Sequence, residues 1–350
     1  MPPAEREGIE DLALRIRSRD RRALSRAISW IEDQTPAGRL LLDRVYSPEG
    51  RAHRLGITGP PGSGKSTLVS QLTRLLRARG VRVAVLAVDP SSPFTGGAVL
   101  GDRIRMQDHA GDPDVFIRSM ASRGSLGGLA STTYEVSEAV EAAGYDWILI
   151  ETVGVGQSEM EIVEAADTTL VVLVPESGDG VQVMKAGLME AADLFVVNKY
   201  DRDGGDRLIK EISLMLELGR EQDRERRGAA PGANEPRWER RIHRTVASTG
   251  LGVPELLGGI DAHRAHLRSD PERWQQRQRR RLRRRLRGQL RDRLLQVLER
   301  DDRLEGWLRE GERRIVAGEA SPYGWIDAMA SRLLEGERSF EPAAPRREER

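Results

Sequence analysis

The stretch Gly59-Pro60-Pro61-Gly62-Ser63-Gly64-Lys65-Ser66 decides the fold of this chain. A short apolar run precedes it and leucines at helical spacing follow it, as expected where a strand leads through a phosphate-binding loop into a helix. In such a loop the backbone N–H groups surround phosphate oxygens, Lys65 reaches the β- and γ-phosphates, and Ser66 can ligate Mg²⁺. We therefore expect a nucleoside triphosphate to bind here, and the predicted contact residues are Gly62, Ser63, Gly64, Lys65, Ser66 and Thr67.

The composition excludes several classes of function. The chain has 350 residues, and its 56 basic and 55 acidic residues nearly cancel, so no global field steers it toward nucleic acid. Cysteine is absent, which excludes a disulfide framework, a thiolate metal site and a cysteine nucleophile. No run approaches the roughly 18 to 20 apolar residues of a membrane span, and the first residues lack an apolar signal segment. We therefore expect a cytoplasmic protein with no membrane partner.

Predicted strands and helices alternate along the middle of the chain. This order indicates an α/β fold with a mainly parallel sheet flanked by helices. Two short amphipathic helices are expected between Ile9 and Ile31, with Asp20 as the N-cap of the second. The predicted regions are an N-terminal helical extension at 1–50, a P-loop nucleotide domain at 51–265, a C-terminal helical region at 266–340 and a disordered tail at 341–350.

Two other segments are interpreted as loops. Residues 116–130 are expected to form a loop that opens a helix, which leaves Arg118 and Arg123 able to meet phosphate or a partner, or simply solvated. Residues 219–240 are rich in Arg, Glu, Gly, Ala and Pro with little periodicity. We expect this second segment to be an exposed loop that does not divide the domain.

Acidic side chains lie at or beyond the ends of predicted strands. Asp89 ends the second strand, Asp102 lies in the turn-rich stretch after it, and Glu151 ends the third. Ligands of open parallel sheets bind beyond the carboxyl ends of the strands, and an acid there holds Mg²⁺ in P-loop proteins. We interpret Asp89 and Asp102 as metal-side or switch carboxylates, and Glu151 as an acid that holds Mg²⁺ through water. For Asp89 and Asp102 an Asx turn or a helix cap is an equal alternative.

Two features near these acids concern the reaction rate and its control. Val155 follows Gly154, so there is no glutamine where Ras-like enzymes orient the attacking water, and we expect slow intrinsic hydrolysis. Glycines flank Asp179 within residues 176–185. We expect that segment to form a mobile loop at the same edge of the sheet.

The nucleotide base is predicted from Asn198-Lys199-Tyr200-Asp201, which follows a short apolar strand. In an Asn-Lys-x-Asp turn the aspartate carboxylate accepts hydrogen bonds from N1–H and the exocyclic amine of guanine, which adenine cannot offer. GTP is therefore favoured over ATP. Residues 247–252 are similar to the loop that supports guanine from its other side, although an ordinary strand-to-helix turn is the alternative. The predicted base-contacting residues are Asn198, Lys199, Asp201, Ser248, Thr249 and Gly250.

A long arginine-rich helix is predicted over 271–300. Leucines recur along it at a spacing of four, namely Leu282, Leu286, Leu290, Leu294 and Leu298. An arginine-dense helix could neutralise nucleic-acid phosphates. The leucine stripe favours packing against a partner helix or a second copy of the chain, with the arginines snorkelling or pairing with acids.

Four longer stretches are more specific than the P-loop. Residues 88–97, 100–106, 118–129 and 151–159 resemble the MeaB/ArgK family of P-loop GTPases, which includes the human protein of methylmalonic aciduria type A. The resemblance implies a homodimeric GTPase chaperone of an adenosylcobalamin-dependent acyl-CoA mutase, typically methylmalonyl-CoA mutase. In this family GTP turnover gates cobalamin loading and the release of damaged cofactor. A cobalamin adenosyltransferase is a further candidate partner.

The resemblance also implies roles for individual positions. Lys65 and Ser66 match the phosphate and Mg²⁺ residues, and the metal-side acids match Asp89, Asp102 and Glu151. Residues 176–185 are similar to an additional switch, in which Asp179 and Lys185 would transmit the presence of the partner to the nucleotide. The implied catalytic residues are Lys65, Asp179 and Lys185.

The base-reading positions match Asn198, Lys199 and Asp201. Tyr200 departs from the small residue often found there, and we expect little effect because its side chain is not the reading group. The C-terminal helical region would be the dimerisation region. Two alternatives stay open, namely a P-loop kinase, for which no acceptor-activating base is identified, and a nucleic-acid-binding regulator acting through the arginine-rich helix.

Overall fold

The computed structural model describes most of the chain. The described residues are 3–47, 50–90, 109, 111–122, 128–152, 165–175, 192–227, 238–299 and 302–335. The first three helices are α1 (Pro3–Arg17), α2 (Arg21–Glu32) and α3 (Pro36–Val45). The sheet and its helices follow as β1 (His53–Thr58), α4 (Lys65–Ala78), β2 (Val83–Pro90), β3 (Val115–Ser122), α5 (Gly128–Ala142), β4 (Trp147–Thr152), β5 (Thr168–Leu173), β6 (Leu194–Val197), α6 (Gly205–Arg227), β7 (Arg241–Arg244) and α7 (Val253–Arg268). The last helices are α8 (Pro271–Glu299), α9 (Asp302–Val316) and α10 (Pro322–Glu335).

The strands form one seven-stranded sheet in the order β3-β2-β4-β1-β5-β6-β7, and every neighbouring pair is parallel. The predicted α/β class with a parallel sheet flanked by helices is confirmed. β1 lies near the centre, with β4 and β5 as its neighbours. The loop that leaves β1 therefore lies in the middle of the carboxyl edge, where ligands of such sheets bind.

Alternate residues of the strands pack under helices on opposite faces. In β2, Ala84, Leu86 and Val88 join a core with α1, α2, α3 and α5. Val83 and Val85 point to the other face, where α4 and α7 cover them. Burial on both faces explains why β2 begins with six consecutive apolar residues.

Helix α2 begins where the sequence predicts, whereas α1 begins earlier, at Pro3 rather than near Ile9, and α3 was not predicted. Asp20 Oδ1 accepts hydrogen bonds from the backbone N–H groups of Arg22 and Ala23 at 2.8 and 3.1 Å and caps α2. Such caps typically stabilise a helix by about 1 kcal/mol. α2 then packs its apolar face against α5 and the sheet.

The prediction of a loop over residues 116–130 is wrong for its first half. Residues Val115–Ser122 form β3, which pairs with β2 at the edge of the sheet. Phe116 and Met120 are buried, but the polar residues between them obscure the strand pattern. Arg118 is not available for phosphate, because its guanidinium contacts Glu32 and donates to Ser29 Oγ of α2. Arg123 lies outside the described residues.

The predicted loop at 219–240 is also wrong at its start. Helix α6 continues to Arg227, and it is highly polar in its last turns. A polar helix end carries little apolar periodicity, which is the signal that the sequence interpretation used. Residues 228–237 lie outside the described part of the chain.

The chain divides into two compact units, Met1–Arg285 and Leu286–Arg350. The division falls within α8, whereas the sequence interpretation placed a region boundary at residue 266. The second unit has a small core of its own around Trp307, Trp325 and Met329. The predicted disordered tail at 341–350 lies outside the described residues. None of the helices in the described part is long and apolar enough to cross a membrane.

A buried polar chain crosses the amino edge of the first unit. Thr168 Oγ lies 3.0 Å from His53 Nε2 and 2.8 Å from His263 Nδ1. His263 Nε2 faces the carboxylate of Asp193 at 3.4 Å. Because that carboxylate accepts from His263 Nε2–H, His263 Nδ1 accepts the Thr168 hydroxyl proton, and Thr168 Oγ then accepts from His53 Nε2–H. The geometry thus assigns a neutral Nε2–H tautomer to both histidines.

These hydrogen-bonded histidines predict a loss of stability in acid. Burial lowers the pKa of His53 and of His263 to about 3. Below a pH of about 6.5 the unfolded protein binds protons at these two histidines, whereas the folded protein does not. Each histidine therefore reduces the free energy of unfolding by about 1.4 kcal/mol for every pH unit between about 6.5 and about 3. Above pH of about 6.5 they have no effect. Urea unfolding between pH 7.5 and 5 checks the slope.

The matched variant is His53→Gln, since a glutamine amide can still donate to Thr168 but does not titrate. We expect this variant to lose part of the acid dependence. An unchanged pH dependence in His53→Gln would show that His53 does not carry it.

Candidate functional site

The glycines of the phosphate loop take backbone conformations that other residues avoid. Gly62 and Gly64 have φ of 73° and 86°, in the left-handed region that favours glycine. A Cβ on Gly59 would lie 2.1 Å from the carbonyl oxygen of Val172 in β5. The loop can therefore pass close to the sheet and turn its backbone toward one point.

Helix α4 starts directly at Lys65 and presents its first N–H groups at that point. Its N-cap is Gly64, and no side chain of the described residues caps this end. Such an end carries a partial positive charge and unpaired N–H groups, which suits phosphate oxygens. Lys65 is buried, and its Nζ donates to the carbonyl oxygens of Gly59 and Pro60 at 2.8 and 2.9 Å. The ammonium group therefore lies across the loop.

The hydroxyl of Ser66 and the carboxylate of Glu151 meet beside this loop. Ser66 Oγ donates to Glu151 Oε1 at 2.5 Å, and both residues are buried. Glu151 belongs to β4 and so comes from the strand next to β1. Mg²⁺ prefers oxygen ligands of this kind. The arrangement therefore fits a magnesium ion held from Ser66 and Glu151.

Of the other two predicted metal-side acids, only Asp89 lies among the described residues. Asp89 lies in β2, one residue beyond the position paired with Thr152, so its backbone reaches the same edge as Glu151. Asp102 lies outside the described residues. Within the described part of the chain, no group of three or more His, Cys, Asp or Glu side chains could hold a metal ion.

Asn198 joins the phosphate loop to the loop after β7. Its Nδ2 donates to the carbonyl oxygen of Ser63 at 2.7 Å. Its Oδ1 accepts from Thr245 Oγ1 and from the backbone N–H of Ala247, both at 3.0 Å. A Cβ on Gly64 would lie 2.4 Å from Asn198 Nδ2, so glycine is required there as well. One amide thus fixes three loops at the carboxyl edge.

Thr245 is a residue that the sequence interpretation missed. Besides its bond to Asn198, its backbone N–H donates to Val197 O at 2.9 Å and its carbonyl accepts from Tyr200 N at 3.1 Å. A threonine at the end of a short strand carries no motif of its own. Its role depends on contacts between residues distant in sequence.

The predicted base-side residues occupy two neighbouring loops. Lys199 has a φ of 54°, and Asp201 follows it on the exposed side of the turn. In the second loop Ser248 and Thr249 are exposed, and Gly250 has a φ of 82° close to Gln71 of α4. Both loops therefore face the edge at which the phosphate loop lies.

The predicted partner switch cannot be placed. Asp179 and Lys185 lie outside the described residues, as does the rest of the segment 176–191. The described residues before it end at Pro175, directly beyond β5. The roles of Asp179 and Lys185 stay predictions.

A glycine loop with left-handed backbone conformations joins a central parallel strand to a helix N-terminus, and Asn198 links this loop to a second pair of loops. These features define a P-loop nucleotide-binding protein. Residues 24–302 match the family model described as Methylmalonyl Co-A mutase-associated GTPase MeaB. The chain belongs to this family and is a P-loop GTPase, as the sequence resemblance predicted.

Individual relatives support the same assignment. The chain is 47% identical over 270 residues to a putative GTPase of Pyrococcus horikoshii, which covers 77% of this chain and 82% of that protein. It is 42% identical over 328 residues to a putative GTPase of Pyrococcus abyssi, which covers 94% of this chain and 98% of that protein. A solved structure titled LAO/AO transport system kinase is similar with a TM-score of 0.65 and 26% identity, over 95% of this chain and 99% of that one.

Proposed function

We propose that this GTPase is a chaperone of an adenosylcobalamin-dependent acyl-CoA mutase of the methylmalonyl-CoA mutase type. The family description, which names the mutase together with the GTPase, is the observation that carries the partner. GTP binding and hydrolysis would gate cobalamin loading and protect or reactivate the mutase. The related GTPases favour hydrolysis over the kinase alternative.

The chain's own residues account for the chemistry as follows. The first N–H groups of α4 and the Lys65 ammonium bind the β- and γ-phosphates and stabilise the charge that develops as water attacks the γ-phosphate. Ser66 and Glu151 would hold Mg²⁺, with Asp89 and Asp102 as further candidates. Bound Mg²⁺ would neutralise charge on the phosphate oxygens. Asp201 would form hydrogen bonds to guanine, while the Asn198 side chain holds the base loops and the phosphate loop in fixed relative positions.

Intrinsic turnover would be slow. Val155 occupies the position at which Ras-like enzymes place a water-orienting glutamine. A slow GTPase suits a conformational cycle that waits for a partner. In this proposal Asp179 and Lys185 form the switch that the mutase engages.

A homodimer is part of the proposal and rests on α8. Four leucines at a spacing of four residues are 44 to 60% exposed, namely Leu282, Leu286, Leu290 and Leu294. A stripe of exposed leucines on a long helix is typical of helix-to-helix association. The same stripe favours this interpretation over nucleic-acid binding by the arginines.

The Lys185→Ala variant tests the proposed coupling. We expect it to bind GTP with nearly unchanged affinity but to lose most of the increase in turnover that an adenosylcobalamin-dependent mutase produces, a coupling of about 5- to 150-fold in typical cases. The matched control is Lys210→Ala, an exposed lysine on α6. Full stimulation of Lys185→Ala would remove Lys185 from the switch.

A further inference from the structure

Tyr200, inside the base-reading turn, is held by contacts to three residues of neighbouring segments. Its backbone N–H donates to Thr245 O at 3.1 Å. Its hydroxyl donates to Asp206 Oδ1 at the start of α6 at 2.6 Å. The guanidinium of Arg244 in β7 lies over the ring, 5.0 Å from its centroid. A charge-assisted hydrogen bond and a cation–π contact therefore act on one side chain.

The ring also fits closely against the start of α6. A Cβ on Gly205 would lie 2.7 Å from Tyr200 Cδ2, so the helix can approach this closely only because residue 205 is glycine. On the same side the ring packs against the apolar cluster that contains Leu208 and Ile212. Its remaining surface lines a cavity of about 550 Å³ beside Ile242. The packing against Gly205 and the apolar cluster therefore restricts the motion of the ring.

These contacts fix a residue that lies between two proposed reading residues. Lys199 is in the left-handed conformation, and Arg202 N donates to Lys199 O at 3.0 Å, which closes the turn. Asp201 itself is exposed, so its position depends on the backbone of the turn. Motion of Tyr200 would displace Asp201 directly.

We propose that Tyr200 is a positioning residue that holds Lys199 and Asp201 in place for guanine and thereby sets the lifetime of the bound nucleotide. The inference rests on the proposed reading of guanine by Asp201. It replaces the expectation that a tyrosine at this position has little effect. The contact set joins the turn to α6 and β7, so changes at either element reach the nucleotide through Tyr200.

The test is the release rate of fluorescently labelled GDP and IDP from the full-length chain. IDP lacks the exocyclic amine that the Asp201 carboxylate would bind. Tyr200→Ala should release GDP about ten-fold faster or more, and Tyr200→Phe about five-fold faster, as expected for one lost hydrogen bond. The preference for GDP over IDP should shrink in Tyr200→Ala. The control Tyr323→Ala removes an exposed tyrosine from α10 and should leave both rates within twofold.

A second measurement separates positioning from a loss of folding. Asp206→Ala removes the partner of the tyrosine hydroxyl and an exposed ion pair to Arg244 at 3.8 Å, so it should speed GDP release at least as much as Tyr200→Phe does. The double variant should add little to Asp206→Ala alone, because the bond that Tyr200→Phe removes is already absent there. Two results would overturn the inference. One is that the effects of Tyr200→Phe and Asp206→Ala on GDP release add in the double variant. The other is that Tyr200→Ala changes neither the release rate nor the preference for GDP over IDP.

The base-reading proposal has its own readout. If Asp201→Asn shifts the base preference while Tyr200→Ala has no effect, only the positioning role of Tyr200 fails. If Asp201→Asn leaves the base preference unchanged, the proposed reading of guanine fails and the inference about Tyr200 fails with it.

Discussion

Lys65→Ala is expected to abolish tight binding of GTP. Lys65 is buried, and its ammonium lies across the phosphate loop with bonds to Gly59 O and Pro60 O. Removing it deletes the positive side chain that we place at the β- and γ-phosphates, and each charge-assisted hydrogen bond contributes about 1.5 to 3 kcal/mol. The affinity for GTP should fall by about 100-fold or more. Isothermal titration with a non-hydrolysable GTP analogue measures it.

The matched control for this variant is Lys210→Ala. Lys210 is exposed on α6, and its removal changes the net charge by the same amount. Its affinity for the analogue should match that of the unmodified chain. If Lys65→Ala also binds normally, the phosphate site has been assigned to the wrong residues.

Asp201→Asn is expected to change the base preference from guanine to xanthine. In the proposed recognition the Asp201 carboxylate accepts from N1–H and the exocyclic amine of guanine, whereas an asparagine amide can accept from N1–H and donate to the 2-oxygen of xanthine. A site that hydrogen-bonds a substrate group rejects the analogue that lacks it strongly, so the ratio of GTP to XTP affinities should change on the order of 1,000-fold. Competition binding with both nucleotides measures this ratio.

Asp203→Asn is the control variant for the change in base preference. Asp203 is exposed in the same turn, two residues further along the chain. Its replacement removes an equal charge without changing the proposed reading group. A base preference that changes equally in both variants would indicate a general electrostatic effect rather than recognition by Asp201.

The sequence predicted the fold where a local pattern and the tertiary structure agree. Strands β4 and β5 contain continuous apolar runs because they are buried on both faces. The glycine loop before Lys65 has few other structural solutions. The same local logic failed at β3, where the polar Arg118 and Ser119 lie between buried Phe116 and Met120, and at the polar end of α6.

The site was predictable as a set of motifs but not as a network. Asn198 was found through its motif, yet its bonds to Ser63 and Ala247 join residues far apart in sequence. Thr245 and Tyr200 show the same limit, since their contacts arise only when β6, β7 and α6 come together. Sequence patterns identify which groups do chemistry, whereas the residues that hold them depend on packing.

The most direct measurement of the central claim is GTP turnover by the purified chain with and without an adenosylcobalamin-dependent methylmalonyl-CoA mutase. We expect slow turnover of the chain alone and an increase of about ten-fold when the mutase is present. The increase should depend on complex formation, which size-exclusion chromatography detects in the same samples. Turnover that the mutase leaves unchanged, with no complex formed, would contradict the proposal that this GTPase serves such an enzyme.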